Sequence, residues 1–187
     1  EIRAHVVTAD LAEPDAARTL AAAVAERGLQ VDGLVNNAGF SKTTGFLETD
    51  PEAQQAMIRV MLTIPVQLSR LWLPGMRARG WGRVVNVASM AGFLQATGGD
   101  TLYGPIKSFL IKFSQGLWVE NQGTGVNVSV VCPGYTYTEF HDVNGSREAV
   151  SAAYPKWMWL DAERVAREAW EAAEANRPRC IPGKRYQ

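Results

Sequence analysis

Cysteine is nearly absent from this sequence: Cys132 and Cys180 are the two in 187 residues. Two thiols so far apart make no disulfide framework, which points to a reducing, cytoplasmic compartment. Charge of one sign is missing as well. Nineteen Lys and Arg balance nineteen Asp and Glu, so bulk charge draws neither nucleic acid nor an anionic membrane. No apolar run approaches the roughly 20 residues that span a bilayer, and no segment reads as a signal peptide. The two histidines, His5 and His141, lack metal-ligand spacing, so no metal site is expected. The chain also lacks a glycine-rich G-x-G-x-x-G turn, the usual phosphate cradle of a dinucleotide site. It opens on Glu1 and not Met, so residues are expected to precede it.

What is present is an ordinary globular composition, 47% hydrophobic and 20% charged. The length suits one domain, large enough to hide about 70% of its unfolded surface. Residues 5–9 read as a strand, followed by an Ala-rich helix over 14–27 that closes on Gly28. Leu34-Val35 is a short strand. A long helix over 51–79 starts at Asp50-Pro51 and should kink at Pro65. Residues 83–89 and 126–131 are β-branched runs, hence strands. Between them lies a helix over 102–121; a helix over 161–176 and a short strand over 179–181 follow. Strand and helix in alternation predict an α/β fold, a doubly wound parallel sheet in three α/β/α layers. Residues 136–160 mix aromatics and charges without period, as a substrate loop does.

Four features carry chemistry. Tyr103 and Lys107 stand four apart on a predicted helix, hence on one face. A free phenol titrates near pH 10; an adjacent ammonium would lower that value and make Tyr103 a usable acid/base. Ser89 ends a predicted parallel strand, where open sheets build their sites; it is either a turn serine or a hydroxyl that holds a substrate oxygen. Asn36-Asn37-Ala38-Gly39 and Pro133-Gly134, with Thr136 and Thr138, also follow strands, as turns or as close approaches to a ligand. Trp157, Trp159 and Tyr154 line a pocket or pack a loop.

Together, Asn36-Asn37-Ala38-Gly39, Asn86-Val87-Ala88-Ser89, Tyr103-x-x-x-Lys107 and Pro133-Gly134-x-x-x-Thr138 resemble the classical short-chain dehydrogenase/reductase family over essentially the whole chain. The resemblance implies a Rossmann-like fold and NAD(P)-dependent interconversion of a carbonyl and an alcohol. It implies Ser89, Tyr103 and Lys107 as the catalytic residues. Asp10, Leu11, Asn37, Ala38, Gly39, Tyr103, Lys107, Pro133, Gly134, Thr136 and Thr138 would contact NADP or NAD, with Asn36 and Asn86 bracing strand ends. A homodimer or homotetramer is expected on the same ground. By this alignment the first βαβ portion is missing, roughly 50 to 60 residues upstream. The chain departs from the family at Met61, where an asparagine usually stands; Met cannot make that residue's hydrogen bonds. An alternative is a truncated homologue that binds a partner without catalysis. A nucleotide-sugar epimerase shares Tyr-x-x-x-Lys but needs a carboxyl-terminal substrate domain, for which the residues after His141 leave no room.

Overall fold

The computed structural model describes residues 2–96 and 98–183; Glu1, Thr97 and residues 184–187 lie outside them. Its centre is a parallel sheet of β1 (Gly33–Asn36), β2 (Gly82–Val87), β3 (Val126–Val131) and β6 (Arg179–Cys180), in the order β1-β2-β3-β6. The register pairs Leu34 with Val84, Val84 with Val128, and Val131 with Cys180. β2 and β3 are buried on both faces, so their valines do not follow a strict polar alternation, whereas β1 alternates exposed and buried residues.

Helices cover the two faces unequally. On one side lie α1 (Ala16–Ala25), α3 (Ile64–Arg79) and α4 (Tyr103–Glu120). Val84, Val126 and Val128 pack against Ala16, Ala17, Ile64 and Leu68, while Val130 and Cys132 pack against Leu110 and Ile111. On the other side α7 (Ala162–Glu174) covers Val85, Val131 and Cys180 with Ala169, Ala172 and Ala173. Alanine on that helix lets it sit close to the sheet. Val35, beside Val85 on the α7 face, stays 54% exposed. Cys132 and Cys180 point to opposite faces and are both free thiols.

Local chemistry sets the helix limits. Asp50 caps α2 (Pro51–Ile58) by accepting from Ala53 N at 3.1 Å, and Asp161 caps α7 by accepting from Arg164 N at 3.1 Å. Gly80, at φ 67°, closes α3, with Trp81 N reaching back to Met76 O. The predicted kink takes a specific form. Residues Arg59–Thr63 widen into a π-helical turn in which Ile64 N reaches back to Arg59 O. Pro65 has no N–H for the Met61 carbonyl, so the helix opens one turn before it. The stretch Pro51–Arg79, with a mean hydropathy of 1.2 in its most apolar window, is long and apolar enough by composition to cross a membrane. That corrects the expectation that nothing approaches such a length. Here the stretch packs its apolar side onto the sheet through Ile64, Leu68 and Met76.

The strand expected over residues 5–9 does not form. Val6 is 86% exposed, and no described strand lies alongside to accept its hydrogen bonds. β-branched content alone does not make a strand without a ladder partner. The segment after β3 is more ordered than its composition suggested. It holds β4 (Thr136–Tyr137), α5 (Phe140–Val143), α6 (Arg147–Ala153) and β5 (Leu160–Asp161), and β4 pairs with β5 in a second small parallel sheet.

Candidate active site

The carboxyl ends of β1, β2 and β3 open on one edge of the sheet, and Ser89, Tyr103, Lys107, residues 37–39 and Pro133-Gly134 follow those ends or face them. Asn36 Nδ2 donates to Asn86 Oδ1 at 2.7 Å, and Asn86 Nδ2 donates to Ser114 Oγ at 2.8 Å. Asn86 is fully buried. These side chains tie β1 to β2 and β2 to α4, the bracing role expected of them.

Ser89 follows β2. Its Oγ caps a short 3-10 turn, Met90–Gly92, by accepting from Ala91 N at 3.2 Å, and it lies near enough to the Tyr103 hydroxyl to favour the phenolate. The turn reading of this serine is met, and the same hydroxyl faces Tyr103. Gly92 brings this turn against α4: a Cβ there would sit 2.7 Å from Ile111 Cδ1 and 2.9 Å from the Lys107 carbonyl carbon. Ser108 Oγ closes the contact by donating to Gly92 O at 2.5 Å.

Lys107 is 4% exposed. Its Nζ donates to Val87 O at 2.8 Å and lies 5.4 Å from the centre of the Tyr103 ring. Among the described residues no carboxylate pairs with it. Burial without a counter-ion pushes its pKa down to about 8, against a smaller opposing effect from Cys132. Tyr103 moves the other way. Burial raises the phenol to about 12; the Ser89 hydrogen bond opposes that shift and the Asp100 charge adds to it. Against the expectation that Lys107 makes the phenol unusually acidic, burial sets the direction of the shift, and Lys107 gives a hydrogen bond to Val87 O.

The remaining predicted residues divide into two groups. Asn37, Ala38 and Gly39 form an exposed shelf beyond β1. A Cβ on Gly39 would lie 2.9 Å from Met61 Sδ and 3.8 Å from Lys107 Nζ, so the shelf runs directly into the Tyr103–Lys107 face. Pro133 and Gly134 follow β3, with Pro133 O accepting from Met90 N at 2.9 Å and Gly134 O accepting from Thr136 Oγ1 at 3.0 Å. Thr138 Oγ1 accepts from Phe140 N at 3.3 Å on the outer surface. Asp10 and Leu11 stand apart from the triad. Asp10 Oδ1 accepts from Ala12 N at 2.8 Å in the turn before α1, and Leu11 packs between the apolar clusters around Ile64 and Met61. Cys132, buried behind Lys107, is raised to about 12 chiefly by burial and is core, as expected.

Two neighbours of Tyr103 have no simple sequence signal. The Phe140 ring lies 5.8 Å from the Tyr103 ring and 5.3 Å from His141. Phe140 leads an aromatic cluster in which Trp159 stacks on Tyr137 at 4.8 Å and meets Tyr135 at 5.5 Å. Trp159 and Tyr154 thus pack the segment, while Trp157 is 57% exposed. Partial burial raises the Asp100 carboxyl to about 6, against a smaller stabilisation of the carboxylate by the Tyr103 N–H and the Ser41 hydroxyl.

Comparison with known proteins places this constellation. The family model for short chain dehydrogenase matches residues 1–149. The chain is 40% identical over 105 residues to the ketoacyl reductase HetN of Nostoc sp., covering 56% of this chain and 36% of that protein. It superposes on a 7beta-hydroxysteroid dehydrogenase with a TM-score of 0.81 at 29% identity, covering 96% of this chain and 67% of that one. A short-chain dehydrogenase from Sphingobium yanoikuyae in complex with NADPH gives a TM-score of 0.81 at 26% identity, covering 94% and 66%. The chain spans between about a third and just over half of the length of the curated relatives it matches, 36% to 54%. The chain belongs to the short chain dehydrogenase family.

Proposed function

We propose that the protein is an NAD(P)-dependent oxidoreductase that interconverts a carbonyl and an alcohol, with Tyr103 as the acid/base. The observation that carries this reading is the buried Ser89–Tyr103 hydroxyl pair with Lys107 one helical turn on.

The residues fit the nicotinamide end of a dinucleotide. Lys107 has three protons and commits one to Val87 O. The other two suit neutral hydroxyls such as those of a ribose, since no carboxylate claims them. Asn37, Ala38 and Gly39 offer a small-residue shelf over which a flat ligand meets backbone closely. Pro133, Gly134, Thr136 and Thr138 flank the opposite side. The NADPH bound by the Sphingobium relative supports this choice of cofactor. Bound here, the nicotinamide would supply or accept the hydride at the substrate carbon. Asp10 and Leu11, from their place before α1, would meet the adenine end.

Within the site, Ser89 Oγ holds the substrate oxygen against Tyr103 Oη. In reduction, the Tyr103 proton moves to that oxygen as hydride reaches carbon; in oxidation it returns. A phenol held up to about 12 keeps its proton at neutral pH, ready to be given to a carbonyl oxygen. Phe140 covers Tyr103 from the 136–160 segment, which acts as the substrate loop and favours a carbonyl with an apolar substituent. Phe109 and Val119, exposed on α4, support a homodimer or homotetramer. The two buried free thiols support a reducing, cytoplasmic setting.

The test is NADPH and NADH oxidation by the purified protein, followed at the nicotinamide absorbance, with a panel of alkyl and aryl ketones. Turnover with at least one ketone is expected. Binding of either dinucleotide with no turnover across the panel and its alcohols would overturn the reading and leave a non-catalytic binding protein.

A further inference from the structure

A hydrogen-bond chain runs from the segment after β4 into the first turn of α4, and each proton in it has one direction. Asn144 Oδ1 accepts from Ser146 N at 3.0 Å and from Ser146 Oγ at 2.6 Å. With its oxygen committed inward, the amide turns Nδ2 outward and donates to Ser41 Oγ at 2.9 Å. A hydroxyl has one proton. The Ser41 hydroxyl, already accepting from Asn144, stabilises the Asp100 carboxylate, as does the Tyr103 N–H. At the far end, Ser146 Oγ has spent its proton on Asn144 and so accepts from His141 Nδ1 at 3.1 Å, which fixes the His141 tautomer.

The members come from three separate places: the loop after β1, the approach to α4, and the segment holding α5. Ser41 is the junction. It is 6% exposed within a loop whose following residues, Lys42 to Thr44, are exposed. A hydroxyl buried in such a loop is stable there only with a partner, and its hydrogen-bond partner, Asn144, is a side chain 103 residues away in sequence.

We propose that Ser41, Asp100 and Asn144 are positioning residues that latch the 136–160 segment over the Tyr103 hydroxyl, so that closure of that segment and placement of Tyr103 are one event. The proposal rests on the reading of Tyr103 as acid/base. Phe140 on Tyr103 is the apolar half of the closure; the Asn144–Ser41–Asp100 chain is the polar half. Phe140 fixes what faces the phenol. The chain fixes the segment to the loop after β1, which no ring contact reaches among the described residues.

The experiment compares wild type, Ser41→Ala, Asn144→Ala and the double variant in steady-state ketone reduction and in hydrogen exchange of residues 140–153. Each single variant should raise the ketone KM about 10-fold with kcat within about 3-fold, the scale of one charge-assisted bond. The double variant should stay near 10-fold, because the second cut falls in a chain already broken. Ser41→Thr, which keeps the hydroxyl, should restore most of the affinity. Exchange over 140–153 should quicken equally in all three broken variants. An unchanged KM, a product-like loss near 100-fold in the double variant, or unaltered exchange would overturn the latch. If wild type turned over no ketone, the functional reading would fall instead, and the exchange comparison would still judge the latch.

Discussion

Lys107 and Tyr103 share a helix face, yet the ammonium gives its hydrogen bond to Val87 O at 2.8 Å and stands 5.4 Å from the Tyr103 ring centre. The pair is therefore a buried cation beside a neutral phenol. Each group sits at the carboxyl edge of the sheet at an energetic cost, which is common where a site awaits a ligand.

That cost gives a pH dependence. Lys107 falls from 10.5 to about 8 on folding. Between those values the unfolded chain binds more protons, so this group makes stability rise with pH, by at most roughly 3 kcal/mol. Cys132, raised from 9.0 to about 12, and Tyr103, raised from 10.0 to about 12, act in the opposite sense as pH passes those starting values. Urea denaturation at pH 7 and at about pH 8.5, below both, should therefore give higher stability at the higher value. Lys107→Met should flatten the difference; a difference that survives this substitution would mean that another group causes it.

Phe140→Ala removes the ring over Tyr103 and its edge contact with His141. Aromatic pairs contribute about 0.5–1.5 kcal/mol beyond burial. The ketone kcat/KM should fall about 3- to 10-fold with cofactor affinity unchanged. Steady-state kinetics with a fixed ketone and dinucleotide titration check both halves.

Gly92→Ala should be far more damaging than its size suggests. The new Cβ meets Ile111 and α4 backbone atoms at 2.7 to 3.0 Å, and backbone does not yield as a flexible side chain would. Overpacking of this kind costs about 1–3 kcal/mol. The melting temperature should drop, and kcat should drop with it because α4 carries both Tyr103 and Lys107. Gly116→Ala, on the same helix with open space around it, serves as the silent control.

Asn86→Ala leaves the buried amide of Asn36 without its acceptor. An unsatisfied buried donor costs about 1–3 kcal/mol, measurable as a lowered urea midpoint.

Much of this site was legible because its residues stand at strand ends and at one helical turn. Spacing and alternation made Ser89, Tyr103, Lys107 and Gly39 candidates, and the family resemblance joined them into one site. The sign of the Tyr103 shift could not be read in this way, because it depends on how deeply α4 buries the phenol and on where the Lys107 proton goes, and neither is a matter of spacing. Phe140, Ser41 and Asn144 were hidden for a different reason. They meet through tertiary contacts between irregular segments, which carry no period. Residues 5–9 misled in the opposite direction: a β-branched sequence sets a preference, but a strand exists only where a neighbour accepts its hydrogen bonds.

The central claim is that the Tyr103 hydroxyl moves the proton. The most direct measurement is a single-turnover hydride transfer with Tyr103→Phe, alongside its dinucleotide affinity. The phenyl ring keeps the Phe140 contact while losing the one reactive atom. The account predicts that transfer falls by at least about 10²- to 10⁴-fold while dinucleotide affinity stays within a few-fold of wild type. Transfer at the wild-type rate would contradict it.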